Sequence, residues 1–325
     1  MKKGAILIIT LWILAILAIL SIGIGGRMGL ELKLTGFNRD AIAALYLAKA
    51  GAKRATAVIL SKQDHTMDSL NETWSCNNEA TNPLFKEIKI GESGYFTVSH
   101  PYYDNRVFYG AKDEEARVNI NNAPRDVIAR LIASIDPTAE GADEIAANIE
   151  DWRDQDTVRQ GGSAEYDYTE EGYKRKDALF DSVDELLLVK GVDRVLFDKL
   201  KGYITVYPIA NSGWQINVNT APLPALEALG FTASDAGTII ANRAGPDGVE
   251  GTADDTPFIN KDSFLTYLVN AGIAPLTPAN TTFVSCGSSF FRVTSKGYAS
   301  GGRAVRTVTC VISVTAGDIL YWNEE

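Results

Sequence analysis

Only 2 of the 325 residues are histidine and only 3 are cysteine. His65 and His100 stand apart with no HExxH-type spacing, so a histidine-based zinc centre has no ligand set. No G-x-S-x-G elbow occurs, and the paired aspartates lie in glycine-rich stretches rather than in the cleft setting of glycosidase carboxylates. These gaps argue against an enzyme. Cys76, Cys286 and Cys310 allow one bridge and leave one thiol over, far short of a disulfide scaffold. Cys286 with Cys310, or either of them with Cys76, are the pairings open to an exported chain. Positive charge is short as well: 31 Lys and Arg face 41 Asp and Glu, a net charge of -10. That excludes a nucleic-acid partner, which needs a basic face for phosphate. One further absence is local. Nothing resembling A-x-A follows Leu20, so the apolar N-terminal run lacks the cleavage site of a removable signal peptide.

What is present begins with that run. After MKKG the chain carries no charge from Ala5 to Gly26, and about 20 apolar residues suffice to cross a bilayer. Lys2 and Lys3 precede it and Arg27 follows, which orients the N-terminus to the cytoplasm and the remainder outward. The only processing signal is the glycine in front of the run. Cleavage between Gly4 and Ala5 would leave the whole apolar helix on the mature protein, an arrangement that resembles type IV pilins and their relatives. Beyond it, Ala41, Ala44, Leu45, Ala48, Ala52 and Ala55 recur at three- and four-residue steps, so the helix is expected to continue onto a core. Gly23, Gly25, Gly26 and Gly29 each cost about 1 kcal/mol relative to Ala and mark the expected place for a bend.

Strand texture appears twice. Tyr95 to Ser99 and Arg106 to Tyr109 are β-branched and aromatic around a turn-like Asp104-Asn105, and Phe290 to Ser295 and Ala304 to Val314 flank a Ser-Gly-Gly-Arg turn. Between them, roughly Asn119 to Pro278, the pattern is short helices and loops. This order predicts a helical domain inserted between two halves of one antiparallel sheet. The insert repeats internally. Val118-Asn119-Ile120-Asn121-Asn122-Ala123-Pro124 is echoed by Ile216-Asn217-Val218-Asn219-Thr220-Ala221-Pro222, each running into a helix with Pro at its first turn. Ser182 with Glu185 forms a capping box. Val189-Lys190-Gly191-Val192-Asp193 is similar to the glycine turn of a helix-hairpin-helix. DNA binding by such a unit needs basic residues at helix N-termini, and both copies here are acidic. The repeat is read as a packing scaffold.

Each copy also carries an acidic loop. Asp151, Asp154 and Asp156 fall within six residues, with Glu165 and Asp167 after Gly161-Gly162; Asp247, Glu250, Asp254 and Asp255 alternate with Gly248 and Gly251. Calcium takes about six to eight hard oxygen ligands on a bending backbone, and both loops offer that composition without the EF-hand spacing. Calcium is therefore the expected cofactor, ahead of magnesium, and the alternative is a pair of solvated loops.

Together these features resemble one family, the K subunits among the minor pseudopilins of type II secretion. The apolar helix holds Leu11-Trp12 as that family does. Asn119 to Pro124, Asp151 to Asp156, Ser163-Ala164-Glu165 and Ser182 to Val192 match its N-I-N-T-A-P, D-W-x-D-x-D, G-A-E and S-V-x-E-L-x-L-V-x-G-V segments. The turn reads S-A-E here, and the second acidic loop is longer and richer in glycine. The resemblance implies an α+β fold: a long N-terminal transmembrane helix and an antiparallel pseudopilin head with a large inserted helix-hairpin-helix or SAM-like domain. The boundaries that follow are a leader at 1–4, the helix at 5–60, the head at 61–118 and 281–325, and the insert at 119–280 with repeats at 119–210 and 217–280. It implies calcium in the insert and a single-pass inner-membrane protein with a periplasmic head. It also implies a place at the pseudopilus tip beside pseudopilins I and J, linked through them to H and the major pseudopilin G, after processing by prepilin peptidase. Ile9 stands where filament-body pilins carry Glu. A buried carboxylate is costly without a cationic partner, so its loss suits a subunit with no neighbour above it. The competing reading is a membrane-anchored, calcium-binding pilin-like adhesin or ligand-binding protein.

Overall fold

A computed structural model describes residues 2–325 apart from 77–82, 93, 104, 140, 157, 160–165, 167 and 211–212. Helix α1 (Lys2–Ser61) is 60 residues of unbroken α-helix, about 90 Å at 1.5 Å per residue. The four glycines expected to melt or bend it leave it continuously helical. A hydrogen-bonded helix tolerates about 1 kcal/mol per glycine when long apolar flanks propagate it. Residues 4–35 are exposed along the whole circumference, whereas Ala44, Ala48, Ala52, Ala55 and Ile59 are fully buried. The helix therefore has two halves: a bare apolar half and a half whose small-residue stripe lies on a sheet.

That sheet has six strands, β1 (Ile88–Ile90), β2 (Gly94–Val98), β5 (Lys112–Asp113), β10 (Phe290–Ala299), β11 (Ala304–Ser313) and β12 (Ile319–Glu324), in the order β1-β2-β10-β11-β12 with β5 on the end of β10. All its pairings are antiparallel. Phe291, Val293, Ser295, Gly297 and Ala299 alternate as the buried set of β10, as a strand with period two requires. Gly297 lets α1 sit close: a Cβ there would lie 2.0 Å from the Ala44 carbonyl oxygen. Cys310 and Ile312 of β11 join the helix-side core, while Val311 between them joins the core on the other face. The end of β11 is thus covered on both sides, whereas β12 is mostly exposed.

A short hairpin, β3 (His100–Pro101) with β4 (Val107–Phe108), stands apart from the sheet. The strand textures at 95–99 and 106–109 therefore do not pair with each other. β2 pairs with β10, five residues of register against one chain-distant strand.

The helical lobe hangs on two parallel pairs, β6 (Val118–Asn119) with β7 (Ile204–Thr205) and β8 (Ile216–Asn217) with β9 (Val284–Ser285). Between β6 and β7 lie α2 (Arg125–Ile135), α3 (Ala142–Arg153), a 3-10 segment (Val183–Leu188) and α4 (Arg194–Leu200). Between β8 and β9 lie α5 (Leu223–Leu229), α6 (Ala233–Arg243), α7 (Lys261–Asn270) and α8 (Pro278–Thr282). The capping box is formed, with Ser182 and Glu185 each holding the other's backbone. Gly191 takes φ +89°, and a Cβ there would meet Ile145 at 2.8 Å, so the tight turn and the close approach to α3 both call for glycine. Side chains of both copies share one core, with Leu131 of α2 and Leu226 of α5 fully buried in it.

Candidate functional site

The Asn-rich motifs are structural clamps. Asn121 donates through Nδ2 to the Phe180 and Val206 carbonyls, both at 3.0 Å, and accepts from Phe180 N–H at 2.7 Å. Asn219 repeats this on Phe258, donating at 2.9 Å and accepting at 2.8 Å. The first Asn of each motif, Asn119 or Asn217, accepts from the amide two residues on and shapes the turn into Ala-Pro. An arginine at the end of the second helix completes each copy. Arg153 donates to the Ile120 and Ala123 carbonyls, and Arg243 donates to the Val218 carbonyl at 2.6 Å. Neither arginine was singled out by sequence reading, although Arg153 lies within the first acidic loop and Arg243 precedes the second.

In the first loop, Asp151 is buried on α3, and Arg159 holds its Oδ2 through Nε at 3.0 Å and Nη2 at 2.7 Å. Among the described residues, Asp151 Oδ1, Asp154 Oδ1 and Glu150 Oε2 are buried acceptors with no hydrogen-bond partner. Partial burial, and then the charges of Asp156, Asp151 and Glu150, push the Asp154 carboxyl up to about 6. Asp156 is exposed and accepts from Val158 N–H at 2.9 Å. Orphaned buried oxygens and crowded negative charge are what a bound cation would relieve, and Glu150 is an acceptor that the sequence pattern missed. Glu165 and Asp167 lie outside the described residues.

In the second loop, one hydroxyl gathers three carboxylates. Thr252 Oγ1 lies 3.1 Å from Asp247, 2.6 Å from Asp254 and 3.4 Å from Asp255. Backbone amides also serve these carboxylates: Asp254 accepts from Asp247 N–H at 3.0 Å, Asp247 from Val249 N–H at 2.7 Å, and Asp255 from Gly251 N–H at 2.8 Å. Glu250 is committed elsewhere. Buried Arg243 donates to its Oε1 at 2.5 Å, Tyr102 O–H to its Oε2 at 2.6 Å, and Arg106 to its backbone carbonyl at 2.9 Å. It fastens the loop to the β3–β4 hairpin. Among the described residues no three carboxylates, histidines or cysteines converge into a ready metal cluster.

The seam between sheet and lobe is built from a run that sequence reading passed over, Asp113-Glu114-Glu115. Asp113 accepts from Ser288 at 2.6 Å, Thr220 at 2.5 Å, Asn217 at 3.1 Å and the Glu115 amide at 2.8 Å. Burial still holds its carboxyl up at about 6. Glu114 is buried between Arg117 and Arg292, with Thr205 donating to it. Burial works against its ionisation, but the arginines win and hold it down at about 2. Nearby, Asp68 binds Lys62 at 2.8 Å and His65 at 2.9 Å.

The expected Cys286–Cys310 bridge is not formed, and Cys76, Cys286 and Cys310 are all free thiols. Cys286 lies in the lobe core and Cys310 in the helix-side core, and burial raises their thiols to about 12 and about 11. Ala5 and Ile9 lie in the exposed apolar half of α1, as does Gly4, and this helix is long and apolar enough to cross a membrane.

A long apolar helix that continues into a helix-on-sheet head with a helical lobe defines a protein of mixed α and β structure whose N-terminal helix is long and apolar enough to cross a membrane. Residues 107–209, from the β3–β4 hairpin through the first repeat, match the first-domain model of type II secretion system protein K. The chain is 27% identical over 225 residues to type II secretion system protein K of Klebsiella pneumoniae, spanning 67% of this chain and 66% of that protein. It is 24% identical over 223 residues to protein K of Pectobacterium carotovorum subsp. carotovorum, spanning 67% and 66%. The matched region thus covers about two thirds of these relatives. The fold matches a chain of the GspK-GspI-GspJ complex from the enterotoxigenic Escherichia coli type 2 secretion system. The TM-score is 0.65, with 17% identity over 91% of this chain and 99% of that one. The resemblance to protein K of type II secretion is thereby shown.

Proposed function

We propose that this chain is a minor pseudopilin that caps the tip of the type II secretion pseudopilus and helps start its assembly, so that folded proteins leave across the outer membrane. The match of the K-family model to residues 107–209, on a chain anchored by a pilin-type helix, carries this reading. The N-terminus faces the cytoplasm, prepilin peptidase cuts between Gly4 and Ala5, and the head stands in the periplasm. The bare half of α1 and the head then meet pseudopilins I and J, and through them H and the major pseudopilin G. Ile9 supports the tip position, because a subunit with nothing above it has no amine for an acidic residue to neutralise. Calcium is the proposed cofactor, held in the first loop by Asp151, Asp154 and Asp156 with Glu165 and Asp167, and in the second by Asp247, Asp254 and Asp255. Glu250 serves there as a tether.

Mass spectrometry of the mature N-terminus tests the anchor, with an N-terminus at Ala5 expected. An intact Met1 or a cut behind the apolar run would overturn it. Co-purification tests the partners. The full chain is expected to bring down pseudopilins I and J from membranes, and recovery of the chain alone would favour an independent binding protein.

A further inference from the structure

Asp113, Glu114 and Glu115 are three consecutive acids at the seam, and the structure treats them unequally. Asp113 has four hydrogen-bond donors and Glu114 has two arginines. Among the described residues, Glu115 receives the Ser289 amide and no cation. It is also the acid that opens outward, on the wall of a cleft of about 640 Å³ between the end of β10 and the lobe. Facing it are Asn122, Gln215, Trp214 and Phe283, the last two stacked with ring centroids 5.1 Å apart. Burial first, and then the charges of Asp113 and Asp68, raise the Glu115 carboxyl to about 8. The cleft floor is therefore short of positive charge, and its walls are aromatic or neutral. The Glu115 backbone is fixed, since its carbonyl accepts from Asn217 N–H at 2.9 Å.

We propose that this cleft is a docking site for a partner protein, taking a Lys or Arg side chain of an extended segment against the Glu115 carboxylate and the Trp214–Phe283 pair. A carboxylate supplies the charge-assisted hydrogen bond, and aromatic faces attract an ammonium or guanidinium group. The alkyl stem suits the apolar wall. The volume is in the range that encloses a ligand larger than one side chain, which favours a stretch of chain over a small ion. Such an anchor would tie the partner to sheet and lobe at once, because Glu115 and Ser289 belong to the first and Trp214 and Phe283 to the second.

The test uses the full chain in detergent micelles with its five tryptophans labelled at the indole nitrogen, and Trp214→Phe to assign the Trp214 signal. The probes are acetyl-Gly-Lys-Gly-amide, its Arg and norleucine versions, and spermidine. The Lys and Arg peptides are expected to shift the Trp214 signal, and the norleucine peptide is not. Asp113, held up at about 6, is already largely ionised above pH 6.5, so affinity should rise about tenfold or more between about pH 6.5 and 8.5 as Glu115, held up at about 8, ionises. Glu115→Gln should weaken binding at least about tenfold, the loss of one charged partner. Thr282→Arg, at an exposed wall position, should block the peptides in cis while leaving the remaining indole signals in place. A Trp214 signal that ignores the basic peptides would overturn the proposal, as would equal binding by Glu115→Gln. Saturation by spermidine without peptide binding would overturn the protein partner in favour of a small polyamine. None of these outcomes depends on recovery of pseudopilins I and J, so this proposal and the tip reading can fail separately.

Discussion

Asn121 and Phe180, 59 positions apart, exchange a pair of hydrogen bonds at 2.7 and 3.0 Å, and Asn219 with Phe258 repeats the exchange in the second copy. The repeated Asn is therefore a two-way backbone clamp that closes each helical unit onto its own strand. Asn121→Ala would leave the Phe180 amide and the Phe180 and Val206 carbonyls unpaired. Each buried orphan costs about 1–3 kcal/mol, so this variant should lose at least about 2 kcal/mol in denaturant unfolding. An unchanged midpoint would show that the clamp is not required.

Arg243, Glu250 and Tyr102 form a second long-range tie, from lobe to hairpin. Glu250→Ala would leave a fully buried guanidinium uncompensated, and breaking such a pair costs about 3–5 kcal/mol. Tyr102→Phe removes one hydrogen bond and should cost only about 1 kcal/mol. Equal losses for the two variants would contradict the ordering, which thermal unfolding reads directly.

Much of this fold was legible because its signals are local. The apolar run of α1, the Ser182–Glu185 box and the two Asn-Ala-Pro motifs each declare themselves within a few residues. The second acidic loop was readable as a loop, but the role of Glu250 was not, since its partner Tyr102 lies 148 positions away. The Asp113-Glu114-Glu115 run misleads for the same reason. Three adjacent acids normally mark a solvated turn, and partners mostly distant in sequence, Arg292, Ser288, Thr220 and Asn217 among them, turn them into a seam. Strand β12 was missed because its Ile-Leu-Tyr-Trp run is exposed and lacks the alternation of a half-buried strand.

Calcium in the first loop should be visible in stability. The folded Asp154 carboxyl sits near 6, above its ordinary 3.8. Without metal its contribution is therefore present below the ordinary value and is lost as pH rises through about 6. Asp154→Asn should then slightly raise the melting temperature of the chelated protein at neutral pH, while abolishing the gain on adding calcium. For a ligand at a hundred times its dissociation constant, that gain is about 2.7 kcal/mol in the unaltered chain. Identical melting with calcium and with chelator would remove the metal from this loop.

His100 should dominate part of the acid limb. Burial first, and then the charge of Lys112, lower its imidazole to about 4 from 6.5, so the folded chain keeps it neutral while the unfolded chain takes up a proton. Its contribution is present above pH 6.5 and is lost as pH falls from there to about 4, by up to about 3 kcal/mol. His100→Gln should flatten that window in a pH series of unfolding free energies. A slope that persists unchanged would assign the window to other groups.

Two glycines set how closely α1 approaches the sheet, and they should not be equivalent. At Gly51 an added Cβ meets the Ser295 hydroxyl at 2.2 Å and the Phe96 ring at 2.6 Å, both side-chain atoms that rotation can move. At Gly297 it meets the Ala44 carbonyl oxygen at 2.0 Å and the Ala48 amide nitrogen at 2.4 Å, backbone atoms of a helix that can yield only as a whole. Overpacking a well-filled core costs about 1–3 kcal/mol. Gly51→Ala should fall at the low end and Gly297→Ala at or above the high end, measured by denaturant unfolding of the full chain in micelles. Because the helix must slide outward to admit the Gly297→Ala methyl, amide exchange should also quicken along the Ala44–Ala55 stripe in that variant and stay slow in Gly51→Ala. Comparable exchange in both would mean that the sheet, rather than the helix, absorbs the change.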